Sequence, residues 1–169
     1  MSVIGLGHDK NYYLLDMIRD KFNLTERTEA LFKLRQKWQP RAVGYEKYSM
    51  QADIEYIKQV QEENGIRFKV IPLGGNMAKI ERIKRMVPLF EDGRFYIPKL
   101  ITYLTNEGKK VNLIENFMYE YVNFPRTAHD DILDSMARIL EPDLKAKFPN
   151  RKLDISGRVK SGSNYIFGF

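Results

Sequence analysis

The order of strand-forming and helix-forming segments most constrains the fold of this chain. Two short apolar segments, residues 2–6 and 11–18, flank turn-forming residues and predict a β-hairpin. Helix and strand patterns then alternate. The elements predicted next are a helix at 24–39, a strand at 41–46, a helix at 50–63, a strand at 67–73, a helix at 77–86, an edge strand at 94–98 and a helix at 111–122. This alternation predicts an α/β protein, a mixed sheet flanked by helices on both faces.

Length and local composition indicate one domain followed by a short tail. A chain of 169 residues is long enough to bury a hydrophobic core without disulfides. We place the domain at residues 1–148. Residues 149–169 are rich in Lys, Arg, Gly and Ser and end in aromatic side chains. We expect this basic tail to be flexible unless its aromatic end docks on the domain.

Composition also excludes several kinds of site and location. The sequence has no cysteine and two histidines, His8 and His129, so neither a disulfide scaffold nor a Cys/His zinc site is expected. Oxygen ligands remain, and they favour Mg²⁺ or Mn²⁺. The absence of a bilayer-spanning apolar segment and of a signal-peptide pattern predicts a soluble intracellular protein with no membrane partner. The formal net charge of +6 favours a polyanionic partner.

Two adjacent acids stand at the start of a predicted amphipathic helix. Asp130 and Asp131 follow His129, and an apolar face follows them. That face consists of Leu133, Met136, Ala137 and Leu140. The acids can cap the helix, because its dipole favours negative charge there, or they can bind a divalent cation. Asp134 is explained at least as well by an i,i+4 ion pair with Arg138 as by metal binding.

Glu46 is the second candidate metal ligand. Alternation along its strand puts Val43 and Tyr45 on one face and Ala42, Gly44 and Glu46 on the other. Glu46 therefore lies at the carboxyl end of a strand, where α/β sheets bind ligands, although it could equally be an exposed acid that opens a loop. A strand-end glutamate and a distant helix-start aspartate are typical of a two-metal phosphoryl-transfer site.

A third feature is a cluster of basic residues on the helix predicted at 77–86. These residues are Lys79, Arg82, Lys84 and Arg85. Ala78, Ile80 and Ile83 would form the opposite, buried stripe, so we expect the basic residues to cover a solvated face. Such a face can simply contact water without binding a partner, or it can bind the phosphate backbone of DNA.

Three segments resemble the C-terminal nuclease domain of bacteriophage terminase large subunits, the enzymes that cut and package viral DNA. The first is the strand 41–46, and the second is residues 78–98, with Pro88, Leu89 and Phe90 in their middle. The third begins at Phe124 and Pro125 and contains His129, Asp130 and Asp131. With the opening hairpin, the resemblance covers roughly residues 2 to 140.

The resemblance implies a ribonuclease H-like fold and a Mg²⁺- or Mn²⁺-dependent DNA endonuclease that cuts double-stranded DNA by two-metal hydrolysis. Glu46 would be the second catalytic acid. Asp131, with Asp130, would be the third ligand position, and His129 would act beside the metal or in proton transfer. The implied partners are the terminase ATPase part, the small terminase subunit and the portal, in the cytoplasm of an infected bacterium.

The chain departs from this family at its beginning. The family's N-terminal ATPase region and the strand that carries the first catalytic aspartate have no counterpart in the sequence. That strand would lie in the centre of the sheet, between the hairpin and strand 41–46. Asp9 and Asp16 do not stand in the expected context. We therefore hypothesise that a separate polypeptide supplies the strand and its aspartate.

Two other functions fit the residues. One is another ribonuclease H-like nuclease, such as a junction resolvase. The second is a docking or DNA-binding module without catalysis, which would use the basic residues and the aromatic tail and is favoured by the missing first acid. Metal-dependent cleavage that is lost on substitution of Glu46 and Asp131, while folding and DNA binding persist, distinguishes the enzymes from the module.

Overall fold

The computed structural model describes residues 1–46, 51–75, 77–150 and 164–168. Its strands are β1 (Ser2–Leu6), β2 (Tyr12–Met17), β3 (Ala42–Glu46), β4 (Val70–Leu73), β5 (Phe95–Tyr96), β6 (Thr102–Leu104), β7 (Lys110–Asn112) and β8 (Asn164–Gly168). Its helices are α1 (Leu24–Trp38), α2 (Gln51–Glu63), α3 (Lys79–Lys84), α4 (Val87–Glu91), α5 (Leu113–Asn123) and α6 (Asp131–Ala137), followed by single 3₁₀ turns at Arg138–Leu140 and Pro142–Leu144. The predicted mixed α/β class is confirmed.

Local signals in the sequence explain where the helices begin and end. At α1 the Asn23 side chain accepts a hydrogen bond from the Glu26 amide, and the Glu26 carboxylate accepts one from the Asn23 amide. This capping box fixes the start of the helix. The helix predicted at 77–86 is instead two shorter ones, because α3 ends at Lys84 and α4 starts anew with Pro88 in its first turn.

The main sheet has six strands in the order β4-β3-β8-β1-β2-β5. β1 and β2 form the predicted antiparallel hairpin, and β3 and β4 are parallel neighbours. β5 pairs with β2 at one rim, as predicted for an edge strand. Apart from the short hairpin β6–β7, the strands therefore form one mixed sheet.

The centre of this sheet is occupied by β8, which comes from the segment predicted as a tail. β8 is antiparallel to β1, with Asn164 opposite Leu6 and Gly168 opposite Ser2, and parallel to β3 through Ile166 and Phe167. The expectation that a separate polypeptide supplies the strand at this position is therefore wrong, because a strand of this chain satisfies the backbone groups of β1 and β3 there. β8 contains no acidic residue, so it does not supply the first aspartate of the resemblance.

The two faces of the sheet carry separate hydrophobic clusters. Val43 and Tyr45 pack with α1 and α2, whereas Ala42 packs with the residues of α5 and α6. The predicted alternation along β3 is thus confirmed, and Glu46 lies on the α6 side. Gly44 also lies on that side, where an added Cβ would come within 2.4 Å of Leu73 Cδ1. A side chain at this position would therefore displace the buried side chain of Leu73 in β4.

The antiparallel hairpin β6–β7 was not predicted from the sequence. Its strands have three residues each, too few for a period-two pattern to stand out. The hairpin is tied to the end of β2, since Asp20 Oδ2 accepts a 2.8 Å hydrogen bond from the Asn106 amide. Within the described part of the chain, no helix is long and apolar enough to cross a membrane.

Candidate functional site

A cavity of about 810 Å³ opens at the carboxyl end of β3. It is bounded by the residues after β2, by the hairpin β6–β7 and by the first turns of α6. Glu46, His129, Asp131 and Asp134 are among its lining residues. The structure therefore brings together Glu46 and Asp131, two of the three candidates that the sequence predicts as metal ligands, whereas Asp130, the third, is not among the lining residues. It adds Asp134, which the sequence alone assigns no more readily to a metal than to an ion pair.

Glu46 is held by a buried arginine of the 3₁₀ turn after α6. Arg138 Nη2 donates a 2.6 Å hydrogen bond to Glu46 Oε1 and lies 4.0 Å from Asp134 Oδ2. The Arg138 side chain is 1% exposed, while that of Glu46 is 46% exposed. The Arg138 guanidinium therefore orients Glu46, and the predicted i,i+4 pair of Asp134 with Arg138 is present as a long ion pair without a hydrogen bond.

Asp130 and Asp131 are bridged by a lysine from α3. Lys79 Nζ lies 2.6 Å from Asp130 Oδ1 and 3.0 Å from Asp131 Oδ1. Partial burial raises the pKa of Asp131, but the hydrogen bond from Lys79 and the charges of Lys79 and Arg19 outweigh it and lower this pKa below its usual value. Asp131 is therefore an anion at neutral pH and faces the cavity.

The start of α6 is capped by a buried glutamate from α5 rather than by its own acids. Glu120 Oε2 accepts hydrogen bonds of 2.9 Å from the Ile132 amide and 3.2 Å from the Leu133 amide. Asp130 occupies the N-cap position but makes no side-chain capping bond among the described residues. The capping interpretation of the acidic pair is therefore wrong for Asp130, because Glu120 already satisfies the free amides. Burial raises the pKa of Glu120 above its usual value.

The predicted solvated basic face exists only in part. Arg82 is 6% exposed, and its Nε donates a 2.6 Å hydrogen bond to Asp134 Oδ1. Lys79 faces the acids of α6, as described above. Lys84 and Arg85 are exposed, with Lys84 paired to Glu81 and Arg85 Nη2 bonded to the Leu140 carbonyl. The expectation fails for Arg82 because α3 packs against α6, which turns the predicted outer side of the helix inwards.

His129 lies at the rim of the cavity in an exposed position. Its backbone is held by Thr127, whose hydroxyl donates a 2.6 Å hydrogen bond to the His129 carbonyl. His129 and Asp131 both belong to the lining of this cavity.

The cavity contains the kind of ligand that a hard cation prefers, because carboxylate groups from β3 and α6 line it. Among the described residues, no three His, Asp or Glu side chains converge closely enough to hold a metal ion. Arg138 and Lys79 carry the positive charge that neutralises these acids in the structure. A cation could therefore bind Glu46 and Asp131 only if their ion pairs with Arg138 and Lys79 broke.

Sequence reasoning missed the contact of Arg138 with Glu46, that of Lys79 with the acids of α6, and the role of Glu120 as the cap of α6. Each contact joins different elements of the fold, so no local spacing could indicate it. No family model, curated protein or solved structure matches this chain.

Proposed function

We propose that this chain is a divalent-cation-dependent DNA endonuclease domain of the terminase type, with a ribonuclease H-like fold. The observation that carries the proposal is the meeting of Glu46 and Asp131 in one cavity, since these acids come from segments far apart in sequence. A central strand parallel to β3 and a neighbouring antiparallel hairpin agree with such a fold. In this proposal the chain acts on double-stranded DNA with a terminase ATPase part, a small subunit and a portal, in an infected bacterium.

Glu46 and Asp131 would hold Mg²⁺ or Mn²⁺ in the cavity once their ion pairs with Arg138 and Lys79 open. When bound, such a cation supplies Lewis-acid stabilisation of the negative charge on the phosphate. Arg138 orients the Glu46 carboxylate by a hydrogen bond, and Arg82 holds that of Asp134. The hydrogen bond and the charge of Lys79 lower the pKa of the Asp131 carboxyl below its usual value, although burial acts against them. His129, at the rim, is in a position to exchange a proton with solvent.

The test is nicking of supercoiled plasmid by the purified chain with Mn²⁺ or Mg²⁺, compared with a metal-free sample. We expect Glu46→Gln and Asp131→Asn each to lower the rate by at least about 100-fold, a loss of roughly 2.7 kcal/mol in transition-state stabilisation. Glu55→Gln, which changes an exposed acid of α2 away from the cavity, is the control and should retain activity. Cleavage that survives both site substitutions would contradict the proposal.

A second candidate is a DNA-binding module without catalysis. The observation that favours it is the pairing of the site acids with Arg138 and Lys79, which leaves the carboxylates already neutralised. A folded chain that binds duplex DNA but never nicks it with either cation would favour this module over the nuclease.

A further inference from the structure

Arg19 is a cation of the cavity that neither the resemblance nor the predicted basic cluster includes. It follows β2, and its side chain is 30% exposed. Nη1 lies 3.2 Å from Glu120 Oε1, and Nη2 lies 3.8 Å from Asp131 Oδ2. The guanidinium therefore stands between the buried cap of α6 and one of the candidate metal ligands, on the wall of the cavity.

The contacts of Arg19 fix one side of the guanidinium and leave the other available. Glu120 is fully buried, and its second oxygen is held by two amides of α6, so it is a rigid anchor for Nη1. The distance of 3.8 Å to Asp131 exceeds that of a hydrogen bond. Nη2 can therefore donate to a ligand that enters the cavity.

The lining of the cavity carries charges of both signs. Lys21, in the same segment as Arg19, and Lys109, in the hairpin β6–β7, add positive charge next to the acids Asp20 and Glu107. Lys109 is paired with exposed Glu107, an interaction that is weak in water. The lining also contains the carboxylates of Glu46, Asp131 and Asp134. A phosphate bound by Arg19 would thus lie next to the carboxylates, where cleavage of the backbone would take place.

We infer that Arg19 binds a phosphate of the DNA backbone in this cavity, beside the Asp131 carboxylate. The inference rests on the proposed function for the choice of DNA as ligand. Guanidinium groups suit this task because their planar, paired N–H donors match the geometry of phosphate oxygens. Arg19, rather than Lys79 or Arg82, is then the main basic contact near the acids.

The experiment measures binding of the full chain to a fluorescently labelled DNA duplex in EDTA, over a series of salt concentrations. We expect Arg19→Gln to weaken binding several-fold and to reduce the slope of log K against log[salt] by about 0.9, the value for one lost phosphate contact. Arg41→Gln removes the same charge from an exposed residue just before β3, at the strand's other end from Glu46, and it should leave the slope unchanged. An unchanged slope in Arg19→Gln would overturn the inference.

A second variant separates binding from folding. Arg19→Gln leaves the buried Glu120 without its cation and can lower stability, whereas the double variant with Glu120→Gln removes both charges. If the double variant unfolds at the same urea concentration as the unmodified chain but still binds DNA weakly, Arg19 contacts the phosphate. If it regains full affinity, the effect was structural and the inference is wrong.

The two proposals fail in different ways. Cleavage by the unmodified chain, together with an unchanged salt slope in Arg19→Gln, would refute the role of Arg19 and leave the nuclease intact. A reduced slope in a chain that never cleaves would refute the nuclease and retain the phosphate contact.

Discussion

At the scale of single residues, the site depends on how each acid is partnered. The sequence predicts Glu46 and Asp131 because strand alternation and helix periodicity put them at the ends of their elements. It does not predict Arg138 or Lys79 as their partners, since ion pairing depends on which helices meet in three dimensions. The same limit explains Arg82, whose surroundings are set by α6 rather than by its own helix.

The burial of Arg82 leads to a prediction about stability. Arg82→Ala would leave the nearly buried Asp134 without its closest cation, and we expect a loss of roughly 3 kcal/mol in the free energy of unfolding. Lys84→Ala, two positions away in the same helix, removes only an exposed pair and should cost less than about 0.5 kcal/mol. Urea denaturation of both variants measures the difference. Equal losses would show that Arg82 is exposed in solution.

At the scale of elements, α5 and α6 are joined by a carboxylate. Glu120 of α5 accepts hydrogen bonds from the first turn of α6, so the helix that carries Asp131 is fixed by a neighbour rather than by its own cap. The sequence predicts both helices, but not this contact, because a glutamate within an amphipathic helix is normally assigned to the surface. The hairpin β6–β7 was missed for a different reason, namely its short strands.

The buried carboxyl of Glu120 makes the free energy of unfolding fall as pH rises. Because burial raises the pKa of Glu120, the folded chain keeps this proton to a higher pH than the unfolded chain does. Folding then takes up a proton above pH 4.5, so the contribution of Glu120 to stability is lost as pH rises through its folded pKa. Glu120→Gln keeps an acceptor for the amides but does not titrate.

We therefore expect the unmodified chain to lose stability relative to Glu120→Gln as pH rises from 4.5 towards neutrality. Urea midpoints of the two proteins across this range measure the effect. Glu91→Gln, which changes an exposed carboxylate of α4, should follow the unmodified chain. A difference that stays constant with pH would mean that Glu120 titrates normally.

At the scale of the whole molecule, β8 joins two groups of strands. β4 and β3 lie on one side of it, and β1, β2 and β5 lie on the other, so no other strand bonds the two groups in the described sheet. The sequence predicts the strands on both sides from their periodicity. It does not predict β8, because a segment surrounded by Lys, Arg, Gly and Ser has the composition of a flexible tail.

The central position of β8 predicts strong sensitivity to proline. Ile166 is opposite Ile4 in β1 and Ala42 in β3, and Ile166→Pro removes an amide in the middle of the sheet. We expect a loss of at least about 2 kcal/mol, because unpaired buried backbone groups cost that much. Ile166→Ala, which keeps the amide, is the comparison in urea denaturation. If proline and alanine cost the same, β8 does not join the sheet through its backbone.

The place of β8 in the chain has a consequence for biosynthesis. A ribosome that makes this protein releases β1 to β5 long before residues 164–168 emerge. Until then the nascent chain has two partial sheets, and the inner edges of β1 and β3 are open to any extended peptide nearby. Translation therefore has a late interval in which chaperones or neighbouring nascent chains compete with β8 for those edges.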